Sequence, residues 1–142
     1  MYRNVVVAYD GTEGARAALQ RAVHIAGRDG AALTVVESVP EKLPPLVPGA
    51  PHSTDPKRAA ETRRELREAV DSLDPELEAS PWAVGGPPAK AILVVAEDIG
   101  ADLIVTGSRQ RGRMTTAVLG SVSAEIVHGA PCDVLIAHPE ET

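Results

Sequence analysis

Short apolar runs recur along the chain and alternate with longer stretches in which apolar residues fall three and four positions apart. The runs are residues 3–9 (RNVVVAY), 31–39 (AALTVVESV), 77–84, 102–106 and 132–137 (CDVLIA). Short, β-branched runs of this kind read as strands of a parallel sheet buried on both faces. The run at 77–84 is the weakest; it carries Pro81 and Trp82, and a proline in a strand predicts an edge position. The helical stretches are Thr12–Gly27, with Ala15, Ala18, Leu19, Ala22, Val23 and Ala26 on one face; Lys57–Leu73, with a stripe of Ala59, Thr62, Leu66, Ala69, Val70 and Leu73; Ala89–Ile99, with Ile92, Leu93, Val95 and Ala96 inward; and Ser121–His128. Thr12 is a candidate N-cap, Gly27 or Gly30 a terminator of the first helix, and Pro88 suits the first turn of the third.

Strands alternating with helices predict a single domain over residues 1–142, of class α/β: a doubly wound, five-stranded parallel sheet with helices on both faces. In such sheets the ligand crevice lies beyond the carboxyl ends of the strands, where the strand order reverses. Residues 40–56 hold six prolines together with Gly49 and His52. They predict a loop rather than a regular element, long for a compact domain and a candidate lid over the crevice. On the second helix the charges predict a solvated face with several pairs four residues apart.

Composition narrows the chemistry. The chain has 142 residues, enough for a core, and 44% of them are hydrophobic, but there is no Phe and only Tyr2, Tyr9 and Trp82 are aromatic. The core must therefore be Val, Leu, Ile and Ala. Fourteen Lys and Arg against twenty Asp and Glu give a net charge of −6, which argues against nucleic acid as a partner. Cys132 is the one cysteine, so neither an internal disulfide nor a cysteine-cluster metal site is available. No apolar run approaches the roughly 20 residues that a membrane span needs, and the first residues lack a signal-peptide pattern. The expectation is a cytoplasmic protein with no membrane partner. His24, His52, His128 and His138 have no metal-ligand spacing, Glu97–Asp98 read as a helix surface pair, and Ser108, Ser121 and Ser123 have no triad partners.

The stretch that carries chemistry is 102–123, DLIVTGSRQRGRMTTAVLGSVS. A strand ends at Gly107, a basic loop follows, and a helix begins at Gly120–Ser121. Free amides and the helix dipole make such a start an anion site, glycines let a ligand come close, and Ser121 can cap the helix or donate to a phosphate. Arg109, Arg111 and Arg113 add positive charge; each also reads as a solvated loop residue. The spacing from Gly107 imitates a Walker A loop, but Arg113 and Met114 stand where Lys and Ser or Thr are needed. Asp10–Gly11–Thr12 ends the first strand; Asp10 and Thr12 either face a ligand or simply cap the first helix.

Four pieces, in this order, resemble the universal stress proteins: VVVAYDGT, the block GPPAKAILVVAEDIGADLIVTGS, LGSVS and APCDVLIA. The loop is similar to that family's G-x2-G-x9-G-[ST] nucleotide loop, with Gln110 where the second glycine would stand and Gly112 two residues later. The resemblance implies strand order 3-2-1-4-5, the adenine-nucleotide alpha-hydrolase-like arrangement. It implies a stress-response sensor or regulator binding ATP or AMP, with or without Mg²⁺ or Mn²⁺, with no metal held by protein side chains. It points to Ala8, Asp10, Thr12, Ser38, Gly107, Ser108, Arg109, Gly112, Gly120, Ser121, Val122 and Ser123 as the nucleotide site. Glu37–Ser38 falls where the family contacts adenine and usually has His-Val, and Val84 and Gly85 are candidates to shape the base pocket. A homodimer through the last strand, 132–137, is implied too. The alternatives are a slow ATP hydrolase, for which no water-activating base is evident, and a family member acting through protein contacts alone. A response-regulator receiver is excluded: Asp10 stands without an acidic neighbour, and His138 rather than lysine follows the last strand.

Overall fold

A computed structural model describes residues 1–43, 47–48, 53–108 and 120–140. The elements run β1 (Asn4–Ala8), α1 (Glu13–Asp29), β2 (Ala32–Val39), β3 (Glu41–Leu43), β4 (Ser53–Thr54), α2 (Pro56–Asp71), β5 (Ala79–Gly85), α3 (Pro88–Ile99), β6 (Leu103–Gly107), α4 (Ser121–Gly129) and β7 (Asp133–Ala137). The main sheet has order β5-β2-β1-β6-β7, every pair parallel. Counting only its own strands along the chain, that is 3-2-1-4-5, as expected, with the Pro81 strand at one edge.

Strand alternation sorts the core onto two faces. Val5, Val7, Leu33, Val35, Leu103 and Val105 pack with Ala18, Ala22 and Ala26 of α1 and Leu66 of α2. Val6, Val36 and Ile104 pack with Ala89, Ile92, Val95 and Ala96 of α3 and Ile126 of α4. The apolar runs are continuous because both faces are covered. The helix ends follow local chemistry. Thr12 caps α1, its hydroxyl accepting from the Ala15 amide at 3.3 Å. Gly30 and Gly100 close α1 and α3 in the left-handed region, at φ 67° and 68°, which glycine enters without a Cβ penalty. Asp55 caps α2, and Pro56 occupies its first turn. At the far pole, Asp102 accepts from the amides of Arg3 and Asn4 at 2.9 and 3.0 Å, tying the starts of β1 and β6 together.

Two expectations are corrected. Residues 40–56 are not wholly irregular: β3 and β4 pair antiparallel, Glu41 with Thr54 and Leu43 with Ser53. The prolines at 44, 45, 48 and 51 all fall between the two strands rather than in them, so the ladder keeps its donors. The ion pairs expected along α2 are not formed; among the described residues the pair within 4.0 Å is Arg28–Asp29, at 3.0 Å. Opposite charges four apart, such as Lys57 with Glu61 and Arg64 with Glu68, run base before acid, the weaker order, and Glu61 with Glu65 and Arg63 with Arg67 are like-charged.

Candidate functional site

The strand order reverses at β1, which has β2 on one side and β6 on the other. A cleft of about 370 Å³ opens there, at the carboxyl ends of the three strands. Ala8, Tyr9 and Asp10 line it from β1, Val36 and Ser38 from β2, and Thr106, Gly107 and Ser108 from β6. The first turns of three helices close it: Thr12 to Ala15 of α1, Pro88 and Ile92 of α3, and Gly120, Val122 and Ser123 of α4, with Pro139 beyond β7.

The walls differ chemically. On the α1 side, Asp10 Oδ1 accepts from the Thr12 amide at 3.0 Å and from the Thr12 hydroxyl, which in turn caps Ala15. The capping alternative for Asp10 and Thr12 is therefore realised, while both residues also face the cleft. On the α4 side the N-cap is Gly120, which offers no side chain; the Ser123 hydroxyl turns back to donate to the Gly120 carbonyl at 3.1 Å. Ser121 occupies the first helical position, is exposed, and neither caps α4 nor lines the cleft. The amides of Ser121, Val122 and Ser123 have no partner among the described residues, so the dipole's positive end is open to an acceptor.

The cleft's floor depends on an approach of two backbones. A Cβ built on Gly107 would lie 2.4 Å from the carbonyl carbon and oxygen of Gly14, and one on Gly14 would lie 2.8 Å from the Ser108 carbonyl oxygen. Ser108 is held by its own amide, which donates to the Ala137 carbonyl at 2.8 Å. Its hydroxyl is buried against the cleft and has no partner among the described residues, a group that a bound polar ligand would satisfy.

Glu37 faces away from the cleft. It is 8% exposed, one carboxylate oxygen is buried without a partner among the described residues, and burial first, then Glu65 and Asp10, push its pKa up to about 7. Val84 and Gly85 do not line the cleft; Pro88 and Ile92 do, and Gly85 instead abuts β4, where a Cβ would meet Thr54 Cγ2 at 2.8 Å. Arg109, Gln110, Arg111, Gly112 and Arg113 lie outside the described residues. Of the lining residues that sequence reasoning missed, Glu13, Gly14 and Ala15 follow directly from the helix start, and Val36 and Thr106 follow from alternation with Ser38 and Ser108. Pro139 has no sequence signal, because its place depends on β7 lying beside β6. Cys132 is half-buried, and burial, Asp133 and Asp102 push its thiol pKa up, which opposes reactivity.

The model of the universal stress protein family matches residues 1–138. This chain belongs to the universal stress protein family. A Staphylococcus epidermidis protein assigned to the universal stress proteins is 30% identical over 148 residues, covering 99% of this chain and 86% of the relative. One from Staphylococcus aureus is 32% identical over 143 residues, with the same two shares. Among solved structures, a universal stress protein in complex with cAMP is 29% identical, with a TM-score of 0.70 over 98% of each chain. The universal stress protein UspA from Lactobacillus plantarum is 26% identical, with a TM-score of 0.73 over 96% of this chain and 97% of its own. Among the described residues no helix is long and apolar enough to cross a membrane, and no cluster of three His, Cys, Asp or Glu is placed to hold a metal.

Proposed function

We propose that this universal stress protein binds a small adenine nucleotide, ATP or AMP, in the cleft between β1 and β6 and acts as a stress-response sensor or regulator in the cytoplasm. The observation that carries the reading is the open N-terminus of α4, with its uncapped amides facing the same cleft as the unpartnered Ser108 hydroxyl. The similarity to a family member crystallised with cAMP supports it. The phosphates lie against Gly107, Ser108, Gly120 and the amides of Ser121, Val122 and Ser123, with Arg109 and Gly112 contributing from the loop. Asp10 keeps one carboxylate oxygen for a ribose hydroxyl, with Ala8 and Thr12 beside it, and Ser38 lies at the base end. With ATP, Mg²⁺ or Mn²⁺ travels with the phosphates rather than on a protein site. The chain acts as one domain throughout.

Calorimetric titration with AMP and with ATP plus Mg²⁺ tests this. Micromolar affinity for either is expected. Absence of heat and of any thermal shift with both would overturn the reading in favour of a role through protein contacts alone.

The same proposal includes a homodimer through β7. Its Val134, Leu135 and Ile136 are only half-buried at the sheet edge. The opposite edge carries Pro81, which lacks the N–H a new partner strand would need. Two copies joined edge to edge would cover the β7 ladder. Light scattering that gave the monomer mass at high micromolar concentration would overturn the dimer.

A further inference from the structure

We infer that α2 is held to the sheet by a proton-operated latch: the helix stays docked while Glu37 is protonated and detaches more readily once Glu37 is ionised. The device sits on the face of the sheet that α1 and α2 cover, and it stands whatever the cleft binds.

α2 is thinly anchored. Of its 16 residues, Ala59, Thr62 and Leu66 are buried, and Leu66 is the one large apolar side chain among them. α1 and α3 bury five residues each. Val70 and Leu73, near the end of α2, are only partly buried against the same core. The hydrogen bonds of α2 and its caps are local: the Lys57 amide donates to Asp55, the Ser72 hydroxyl to the Ala69 carbonyl, and the Leu73 amide to the Val70 carbonyl. Among the described residues neither a hydrogen bond nor an ion pair joins α2 to another element. Detaching α2 therefore opens one apolar seam, and a segment with so few buried apolar contacts can open without the rest of the fold.

A carboxylate stands under that seam. Glu37 shares a face with Val35, two residues back, and lies opposite Ala83 of β5; Val35 and Ala83 pack in the cluster that holds Leu66. Glu37 is more than nine-tenths buried, and its Oε1 has no partner among the described residues. Its neighbours supply no countercharge. β5 offers Ala83, and the residues that α1 buries are Ala and Leu. β1 brings Tyr9 level with it, since Ala8 pairs with Val36, and Asp10 follows. On α2, helical spacing sets Arg58 and Glu65 along one flank of the buried stripe and Arg63 along the other; neither arginine pairs with Glu37. Burial first, then Glu65 and Asp10, raise its pKa from 4.5 to about 7. Protonated, Glu37 is tolerated beneath α2. Ionised, it is a buried charge without a partner, and lifting α2 lets water reach it. Glu37 regains its ordinary pKa in the open form, so the docked form is favoured at low pH and loses that advantage as pH rises through 7.

Hydrogen exchange of the full chain at pH 6 and pH 8, with each rate divided by the intrinsic rate at that pH, tests the latch. In the native protein the α2 amides are expected to open more often than those of α1 and α3. Their opening equilibrium is expected to rise about tenfold from pH 6 to pH 8, as the two pKa values require. In Glu37→Gln, neutral at both pH values, the change is expected to stay within about twofold. A tenfold rise that persists in Glu37→Gln overturns the role of Glu37, and so does a native protein whose α2 opening is the same at both pH values. If the α2 amides of the native protein open no more often than those of α1 and α3 at pH 8, the helix leaves only when the whole chain unfolds, and the latch is overturned.

Discussion

Of the three helices whose first turns close the cleft, α1 and α4 are finished in opposite ways. At α1 the chain satisfies itself: Thr12 caps Ala15, and Asp10 takes both donors of Thr12. Two carboxylates, Asp10 and Glu13, line that wall. At α4 the cap is a glycine with no side chain, and the first amides have no partner among the described residues. The dipole is the same in kind at both ends, so what separates them is what already occupies the donors and what charge stands beside them. A capped, acid-lined end suits hydroxyl groups; an open, glycine-started end suits an anion. Being aimed at a cleft is therefore not enough to make a helix start an anion site.

The largest expected effect comes from the backbone contact that anchors α1. Gly107→Ala places a Cβ against the Gly14 backbone, which cannot rotate away, so α1 and the end of β6 must separate. A loss of about 3 kcal/mol is expected, visible as a thermal midpoint lower by roughly 10 °C. A midpoint within about 2 °C of the native protein would mean that the two segments are not held together.

Next is Glu37, buried on the face of the sheet away from the cleft. Its folded-state pKa is raised from 4.5 to about 7, so the folded protein binds more protons than the unfolded chain between those values. Its contribution is fully present below about pH 4.5 and is lost as pH rises through 7. Glu37→Gln should match the native protein near pH 4.5 and exceed it at pH 8 by on the order of 2 kcal/mol. Denaturant melts at the two pH values check this, and equal gains at both would exclude the buried charge as the cause.

The open end is sharpened by Gly120→Val. Gly120 has φ −66° and ψ 165°, extended backbone that valine adopts readily, so stability should change by no more than about 1 kcal/mol. A branched side chain beside the free amides should weaken AMP binding about tenfold or more. Undiminished affinity would move the phosphates elsewhere. The smallest effect is expected at the closed end: Thr12→Ala loses a cap worth about 1 kcal/mol and should leave AMP affinity within about threefold. If Thr12→Ala weakens binding as much as Gly120→Val does, the contrast between the two ends is broken.

Most of the fold was legible because its signals are local. The main-sheet strands and the four helices emerged from two periodicities, and the edge position of β5 from Pro81. The hairpin of β3 and β4 was not, because strands of three and two residues are too short to show alternation among so many prolines. Nine of the twelve site residues indicated by the sequence line the cleft. Ser121 does not, since Gly120 rather than Ser121 takes the cap position, and Arg109 and Gly112 lie outside the described residues.

The sequence by itself determined the elements, their alternation, the face that each residue presents and the glycine positions that bracket the loop, because these depend on neighbours within a few residues. Tertiary structure alone decided that the two helix ends border one cleft, that Gly14 and Gly107 meet backbone to backbone, that Pro139 borders the cleft, and that Glu37 is buried where the charges of Glu65 and Asp10 act on it. Each of these depends on groups far apart in the chain being brought within a few ångströms, and no local pattern encodes how two such surfaces fit.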